Sequence, residues 1–193
     1  KNFKGTFDGG DNTITGRTID GNSSYQGLFG YIYGGTVKNV RLAECSITCT
    51  STYTAGICGL NSSGAIENCH VRSGSISGGQ YTAGICGQCS SKATVTGCSN
   101  AAGVTSSSNY VGGICGSAQN DTQIINCTNS GAVTTTYSGN GYVGGICGYV
   151  STNSNDGGVS ISGCVNTGAV TAEKCKYVGG ICGRFGSQNV SIS

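Results

Sequence analysis

The sequence predicts an all-β protein folded as a parallel β-helix, a solenoid of about six to seven coils with three short strands per coil. Three observations indicate this fold. A Gly-rich motif returns about every 29 residues, which is the mark of a repeat architecture. Short Val, Ile and Thr runs alternate with Gly and Asn, as strands alternate with tight turns. The 193 residues include 36 Gly and no Pro, and so much Gly would weaken every helix.

The Gly-rich motif reads YVGGICG at residues 142–148. Near-copies occupy residues 53–59, 81–87, 110–116 and 177–183, and a degenerate copy, YQGLFG, occupies residues 25–30. Measured at the residue before the last Gly, the steps between copies are 29, 28, 29, 32 and 35 residues. Stacked coils would align the isoleucines of the motif as one buried ladder: Ile57, Ile85, Ile114, Ile146 and Ile181.

Two further strands are predicted in each repeat. The second reads TVKNV at residues 36–40 and AIENC at 65–69, and the third reads SIS at 75–77. Near the end of the second strand stands an Asn or a Gly, the residues that best tolerate a positive φ. A left-handed bend is therefore predicted at Asn39, Asn68, Gly97, Asn126 and Gly163.

Residues 1–193 are predicted to form a single solenoid domain. Residues 1–24 would be an irregular leading and capping coil, and residues 25–193 the repeats. Ile14 and Ile19 are spaced like Val37 and Leu42, which indicates a partial coil, and the phenylalanines at 3 and 7 would cover its open end. Extra residues fall in 134–141, 151–158 and 171–176, and insertions of this kind often mark the binding face of a solenoid.

Charge and hydropathy exclude two classes of partner. The net charge is +2 and no basic run exists, so nucleic-acid binding is not expected. No window reaches the roughly 18–20 apolar residues of a membrane span, so no membrane insertion is expected in this segment. Because the chain opens directly into repeat-like sequence and stops within a repeat, we expect a fragment of a longer chain.

The recurring pattern YVGGICG…NC…TGAV resembles the GLUG-type repeats of bacterial cell-surface proteins. The opening GTFDGGDNTITGRTIDG…GLFGYI is similar to the coil that leads into such arrays. The resemblance covers nearly the whole chain. It implies an exported β-solenoid at the bacterial cell surface or wall, often part of a large adhesin-like protein. The chain departs from the commoner pattern in carrying Cys where an aliphatic residue often closes the Gly-rich strand.

Nine of the thirteen cysteines follow the repeat. Where the first repeat cysteine is replaced by Phe29, the second is replaced by Val40, and this joint loss suggests that the two positions touch. One hypothesis is therefore a disulfide within each later coil: Cys58–Cys69, Cys86–Cys98, Cys115–Cys127 and Cys147–Cys164. The alternative is two ladders of buried free thiols, because Cys also packs well as a small apolar residue.

Few residues suggest catalysis or metal binding, and no catalytic residue, metal or cofactor is predicted. Cys86 and Cys89 form a C-x-x-C without the helix or second ligand pair that redox or zinc chemistry needs. His70, the only histidine, is expected to face solvent. Asp8 and Asp11 could hold a weak Ca²⁺, but Asp-Gly is also ordinary turn chemistry.

The tyrosines of the motif form the remaining candidate site. In a solenoid with aligned coils they would stack, and an exposed aromatic strip could bind sugar rings or a partner protein: Tyr53, Tyr81, Tyr110, Tyr142 and Tyr177. Alternatively they pack over the Gly-rich strand and shield it.

The functional expectation is a non-enzymatic extracellular module with a stalk or adhesion role. Its partner would be a host or cell-surface glycan or protein. The alternatives are a polysaccharide lyase- or hydrolase-like β-helix enzyme, or a glycan-binding module, since enzymes of this shape gather carboxylates on neighbouring coils.

Overall fold

A computed structural model describes residues 2–152, 158–186 and 189–193 and shows a parallel β-solenoid of about six coils. The first three coils contain strands β1 (Thr6–Asp8), β2 (Thr13–Thr15), β3 (Thr18–Gly21), β4 (Phe29–Tyr33), β5 (Thr36–Lys38), β6 (Arg41–Ala43), β7 (Cys45–Cys49), β8 (Thr54–Ala55), β9 (Cys58–Ser62), β10 (Ala65–Glu67), β11 (His70–Val71), β12 (Gly74–Gly78), β13 (Thr82–Ala83) and β14 (Cys86–Ser90).

The later coils continue the same order. They contain β15 (Thr94–Thr96), β16 (Ser99–Asn100), β17 (Gly103–Ser106), β18 (Val111–Gly112), β19 (Cys115–Gln119), β20 (Gln123–Ile125), β21 (Thr128–Asn129), β22 (Val133–Thr135), β23 (Gly139–Gly144), β24 (Cys147–Ser151), β25 (Val159–Ser162), β26 (Val165–Asn166), β27 (Val170–Thr171), β28 (Cys175–Gly179), β29 (Cys182–Phe185) and β30 (Val190–Ile192). In the part of the chain that the structure describes, no helix is long and apolar enough to span a membrane.

The strands form five parallel sheets that run along the solenoid. Sheet 1 contains β1, β5, β10, β15, β20, β25 and β30; sheet 2 contains β2, β6, β11, β16, β21 and β26; sheet 3 contains β3, β7, β12, β17, β22 and β27; sheet 4 contains β8, β13, β18, β23 and β28; sheet 5 contains β4, β9, β14, β19, β24 and β29. Each residue in a strand is paired with its counterpart in the next coil, as Val37 is with Ile66 and Ile66 with Val95.

The parallel solenoid and its three predicted strand positions are confirmed. The second strand of the sequence lies in sheet 1 and the third in sheet 3, while the Gly-rich motif bends into a sheet 4 strand followed by a sheet 5 strand. Two or three residues after each bend form sheet 2. The left-handed bends are also confirmed, with φ of 54° at Asn39, 49° at Asn68, 63° at Gly97, 53° at Asn126 and 60° at Gly163.

The core consists of apolar ladders from all five sheets and from the corner before sheet 5. The predicted isoleucine ladder is buried: Ile57, Ile85, Ile114 and Ile146 are 0% exposed, and Ile181 is partly buried. Burial of each such side chain contributes about 1.5–3 kcal/mol. Each interior residue of the ladder is covered by the coil above and the coil below, so this stabilisation exists only in the stack.

Sheet 2 also carries a buried asparagine ladder, which was not predicted from the sequence. The position is apolar in Ile14, Leu42 and Val71, and it changes to Asn100, Asn129 and Asn166 in the later coils. The Nδ2 group of Asn100 donates to Oδ1 of Asn129 over 2.9 Å, and Asn129 donates to Asn166 over 2.8 Å. Each amide also donates to the carbonyl two residues later, so these buried polar groups are satisfied.

The amino-terminal segment forms a coil, but its register differs from the one that the spacing suggested. Ile14 pairs with Leu42 rather than Val37, and the partner of Val37 is Phe7. The coil therefore begins at β1, before the predicted partial coil. The rings of Phe3 and Phe7 pack against Phe29 with centroids 4.9 and 5.4 Å away, as expected for residues that cover the end of the core.

Two of the three insertions have a defined structure. The 134–141 and 171–176 insertions meet at the paired strands β23 and β28. Most of the third, at 151–158, lies outside the described residues.

The last Gly of the motif is required by a close backbone approach. A Cβ added at Gly87 would lie 2.6 Å from the Gly59 carbonyl oxygen and 2.7 Å from that of Tyr81. We expect Gly87→Ala to lower the free energy of unfolding by about 1–3 kcal/mol, the usual cost of overpacking. Denaturant unfolding followed by circular dichroism measures this change.

Gly103→Ala is the matched control, because a Cβ at Gly103 meets nothing within 4 Å. It should change the free energy of unfolding by no more than about 0.5 kcal/mol. Equal effects of the two substitutions would contradict the close-approach explanation.

Candidate functional site

The tyrosines of the Gly-rich motif stack in a continuous column along the solenoid. Neighbouring ring centroids are 4.9, 4.9, 4.7, 5.1 and 5.3 Å apart and the rings are inclined by 4–26°, in the order Tyr25, Tyr53, Tyr81, Tyr110, Tyr142 and Tyr177. The sequence predicted this stack, and Tyr25 of the degenerate motif extends it by one ring. Each aromatic pair contributes about 0.5–1.5 kcal/mol beyond its buried area. We call these six residues the tyrosine column.

The first four tyrosines of the column have an unusual backbone conformation. Their φ values are 65° at Tyr25, 63° at Tyr53, 61° at Tyr81 and 71° at Tyr110, a region that bulky side chains rarely adopt. Backbone hydrogen bonds hold this corner: the Tyr53 amide donates to the Gln80 carbonyl over 2.9 Å. The strained corner directs each ring onto the one in the next coil, where stacking offsets the strain.

The five predicted members of the column are half-buried, and Tyr25 is 43% exposed. Burial raises the pKa of Tyr53 and Tyr110, and it raises the pKa of Tyr81 to about 12, with smaller contributions from the neighbouring tyrosines. At the carboxyl-terminal end, Arg184 donates to the Tyr142 hydroxyl over 3.0 Å and places its guanidinium 4.7 Å from the Tyr177 ring centroid.

The stacking limits what the column can bind. The four interior rings have a tyrosine against each face, so a sugar ring has no free face there on which to stack. A ligand would meet ring edges and phenol hydroxyls instead. The five rings are half-buried, as expected if they pack over the Gly-rich strand.

The repeat cysteines lie in two ladders. Strand pairing aligns the first set coil upon coil: Cys58, Cys86, Cys115, Cys147 and Cys182. The second set lies at the bend between sheets 1 and 2: Cys69, Cys98, Cys127 and Cys164. There the Cys69 amide is 3.5 Å from the Cys98 sulfur, and the Cys127 amide is 3.4 Å from the Cys164 sulfur. Burial raises the pKa of Cys58 and Cys98 well above the usual value of a thiol.

The structure does not confirm the disulfides within coils. All thirteen cysteines are free thiols, including the eight assigned to pairs: Cys58, Cys69, Cys86, Cys98, Cys115, Cys127, Cys147 and Cys164. The two cysteines of a coil lie at different walls, and their thiols donate to different carbonyls, Cys58 to Leu60 and Cys69 to Glu67. Between coils, strands about 4.8 Å apart place equivalent Cβ atoms farther apart than the roughly 3.5–4.5 Å of a disulfide.

The other candidates occupy structural positions. Cys86 and Cys89 are buried on one strand, and His70 is half-buried with Nδ1 2.8 Å from the Ser99 hydroxyl rather than fully facing solvent. Burial, then Arg72 and Arg41, lower the pKa of His70.

The acidic turn is held by neighbouring side chains. Asp8 accepts from the Gly10 amide over 2.9 Å and lies 3.5 Å from Lys38, while Asp11 lies 3.0 Å from Arg41. These contacts are those of a turn whose carboxylates are paired with basic residues. Among the described residues, no group of three or more potential ligands could hold a metal ion.

A surface cavity of about 340 Å³ was not identified as a site from the sequence. It is lined by Thr134, Thr135, Thr136, Tyr137, Thr171, Glu173 and Lys174. These residues belong to the insertions at 134–141 and 171–176. The longer steps between repeats at these insertions were therefore the one sequence feature that pointed to the cavity. We call this cavity the insertion pocket.

The fold and one repeat are shared with known proteins. Residues 107–134 match the family model of the GLUG motif. The chain is a β-helix that contains a GLUG motif. No curated protein matches this chain.

A crystal structure at 1.30 Å resolution has a similar fold and comes from a Bacteroides ovatus protein provisionally named an immunoglobulin A1 protease. The TM-score is 0.78 at 21% identity, and the match covers 96% of this chain and 57% of the Bacteroides ovatus chain. At 21% identity, the similarity shows a shared fold and does not show a shared activity.

The thiol ladders predict two results in a thiol titration. Under denaturing, non-reducing conditions all thirteen cysteines should react, whereas four disulfides would consume eight and leave five. In the native protein, reaction should be fast only at the half-buried Cys164, Cys175 and Cys182, because the other ten thiols are buried and out of reach of the reagent. A count of five in denaturant would restore the disulfide hypothesis.

The tyrosine column predicts a loss of stability at high pH. The pKa of Tyr81 is near 10 in an unfolded chain and about 12 in the fold, so the neutral phenol favours the folded state. That contribution is complete below pH about 10 and is lost as the pH rises toward 12. In a titration of tyrosinate absorbance, Tyr81→Phe should remove a component near pH 12.

Tyr33→Phe, which changes an exposed tyrosine outside the column, should leave the component near pH 12 in place. If the titration of Tyr81→Phe matched that of the unsubstituted protein, the assignment to the column would be wrong.

Proposed function

We propose that this chain is a non-enzymatic, extracellular repeat module of a bacterial surface protein with a stalk or adhesion role. The observation that carries the proposal is the continuous pairing of strands along sheet 1. Sheet 1 runs through seven strands, from β1 to β30, and the tyrosine column runs beside the coils through six rings. Such a stack is a stiff rod on the order of 30 Å long at about 4.8 Å per coil.

The outer surface supports the same role. Outward positions of sheet 1 are mostly small and polar, such as Thr36, Thr94 and Ser160, and only 9% of all residues are charged. The resemblance to GLUG-type surface proteins is the basis for the extracellular, bacterial location. The glycan or protein partner of such a module would lie on another cell or in the host.

Binding along the tyrosine column is a second candidate function. Its rings are half-buried and repeat about every 5 Å, a spacing set by the coils. Each ring presents its edge and its phenol hydroxyl to a ligand. Such a row could hydrogen-bond a partner protein or a glycan chain without ring stacking.

An adhesion assay combined with a cleavage assay tests the proposed function. Beads coated with the chain should bind epithelial cells or bacterial cell wall above the level of albumin-coated beads. The same protein should release no product from immunoglobulin A1 or from a polysaccharide panel. If the tyrosine column is the contact, Tyr81→Phe combined with Tyr110→Phe should reduce adhesion, because the rings remain stacked and only hydroxyls are lost.

Product formation proportional to the amount of the chain would contradict a non-enzymatic role. Bead binding equal to that of albumin would contradict adhesion. Unchanged adhesion of the doubly substituted chain would place the contact elsewhere.

A further inference from the structure

The insertion pocket is held between two loops that are fastened to each other. The Gly139 amide donates to the Lys174 carbonyl over 3.2 Å, and the Cys175 thiol donates to the Tyr137 carbonyl over 3.3 Å. A Cβ at Gly141 would lie 2.3 Å from the Cys175 sulfur, so the thiol occupies the space that Gly141 leaves. Cys175, which is outside the repeat pattern, therefore joins the walls of the pocket.

The base of the pocket is also ordered. Thr135 is buried, and the single proton of its hydroxyl is shared between the carbonyls of Ser106 and Ser108, whose oxygens lie 3.1 and 3.2 Å away. The Tyr137 amide donates back to this hydroxyl over 3.1 Å. These bonds bring the Tyr137 ring over Gly139, where a Cβ would lie 3.4 Å from the phenol oxygen.

The groups around the pocket are free to bind a ligand. Within the part of the chain that the structure describes, no hydrogen bond or ion pair engages the side-chain polar groups of Thr134, Thr136, Tyr137, Thr171, Glu173 or Lys174. Together they offer hydroxyls that both donate and accept, one carboxylate that accepts and one ammonium that donates.

We propose that the insertion pocket binds one neutral pyranose ring of a glycan. A pyranose presents several hydroxyls that each donate and accept, which matches this mixed set of groups better than a purely donating or accepting ligand does. Glu173 and Lys174 carry opposite charges, so the pocket favours a neutral ligand over an anionic or cationic one. Its volume of about 340 Å³ is at the small end of the roughly 300–1,000 Å³ of ligand pockets, which suits one ring.

This site rests on the proposed adhesion role, for which it supplies the contact. The test is an amide chemical-shift titration of the whole chain with the methyl glycosides of glucose, galactose, mannose and N-acetylglucosamine. At least one sugar should produce saturable shifts confined to 134–137 and 171–175. Glu173→Gln should weaken that binding about tenfold or more, because it removes the charge and replaces an accepting oxygen with a donating NH₂ group. Thr171→Val should weaken it about two- to tenfold, because it removes one hydroxyl.

Two matched controls lie outside the pocket. Thr105 pairs with Thr134, which pairs with Thr171, so Thr105→Val makes the same change one coil beyond the pocket. Glu44→Gln removes an exposed carboxylate in the second coil. Neither control should alter the affinity, and thermal unfolding should show that all four variants are folded; should Glu173→Gln not fold, Thr171→Val decides.

The proposal is overturned if no sugar shifts the pocket amides, if the shifts follow the tyrosine column, or if a folded Glu173→Gln or Thr171→Val variant binds like the original chain. If the beads adhere but no sugar shifts the pocket amides, this site is refuted and the adhesion role stands. If the pocket binds a sugar but the beads do not adhere, the adhesion role is refuted and the site stands.

Discussion

Parallel coils stacked in register impose one constraint on every position of this protein, because each side chain lies against its own counterpart about 4.8 Å away. Residues that attract their own kind are therefore favoured, and the chain uses four such types: isoleucine on isoleucine, tyrosine on tyrosine, thiol on thiol and amide on amide. A column of like charges would repel itself. Where charges do meet across coils they alternate, as in the series Asp8, Lys38 and Glu67. The low charge content thus follows from the register.

The same constraint explains the glycines and the strained tyrosines together. The motif brings backbones so close that a Cβ at Gly59 would lie 2.7 Å from the Tyr53 carbonyl oxygen of the same coil. A Cβ added at Gly84 would similarly lie 2.2 Å from the amide carbon of the Asn100 side chain. Small residues on one wall thus make room for tyrosine corners and asparagine amides, and the stacking of those groups compensates for the missing side chains.

Sequence periodicity was sufficient for the coil architecture, the isoleucine ladder and the left-handed bends, because each depends on residue types that recur at one spacing. It was not sufficient where equivalent positions change type. Val71 and Asn100 are paired neighbours, so the asparagine ladder begins midway and shows no single pattern. The paired loss of cysteines at Phe29 and Val40 was interpreted as contact, whereas both positions belong to the apolar core near the first coil. The insertion pocket depends on how two loops meet, which their lengths alone do not determine.

Register also limits where a chemically distinct site can arise. A substitution in a regular ladder disturbs two neighbouring coils, so those positions can change only within narrow limits. The insertions of the fifth and sixth coils lie outside the ladders, so their residues need not match those of neighbouring coils. They are nevertheless held to the stack by the hydrogen bonds of Thr135 and Cys175. Charged and hydroxyl groups can therefore converge at Thr171, Glu173 and Lys174 without breaking a ladder. The repeats supply rigidity, and the departures from the repeat provide the positions at which recognition can be specified.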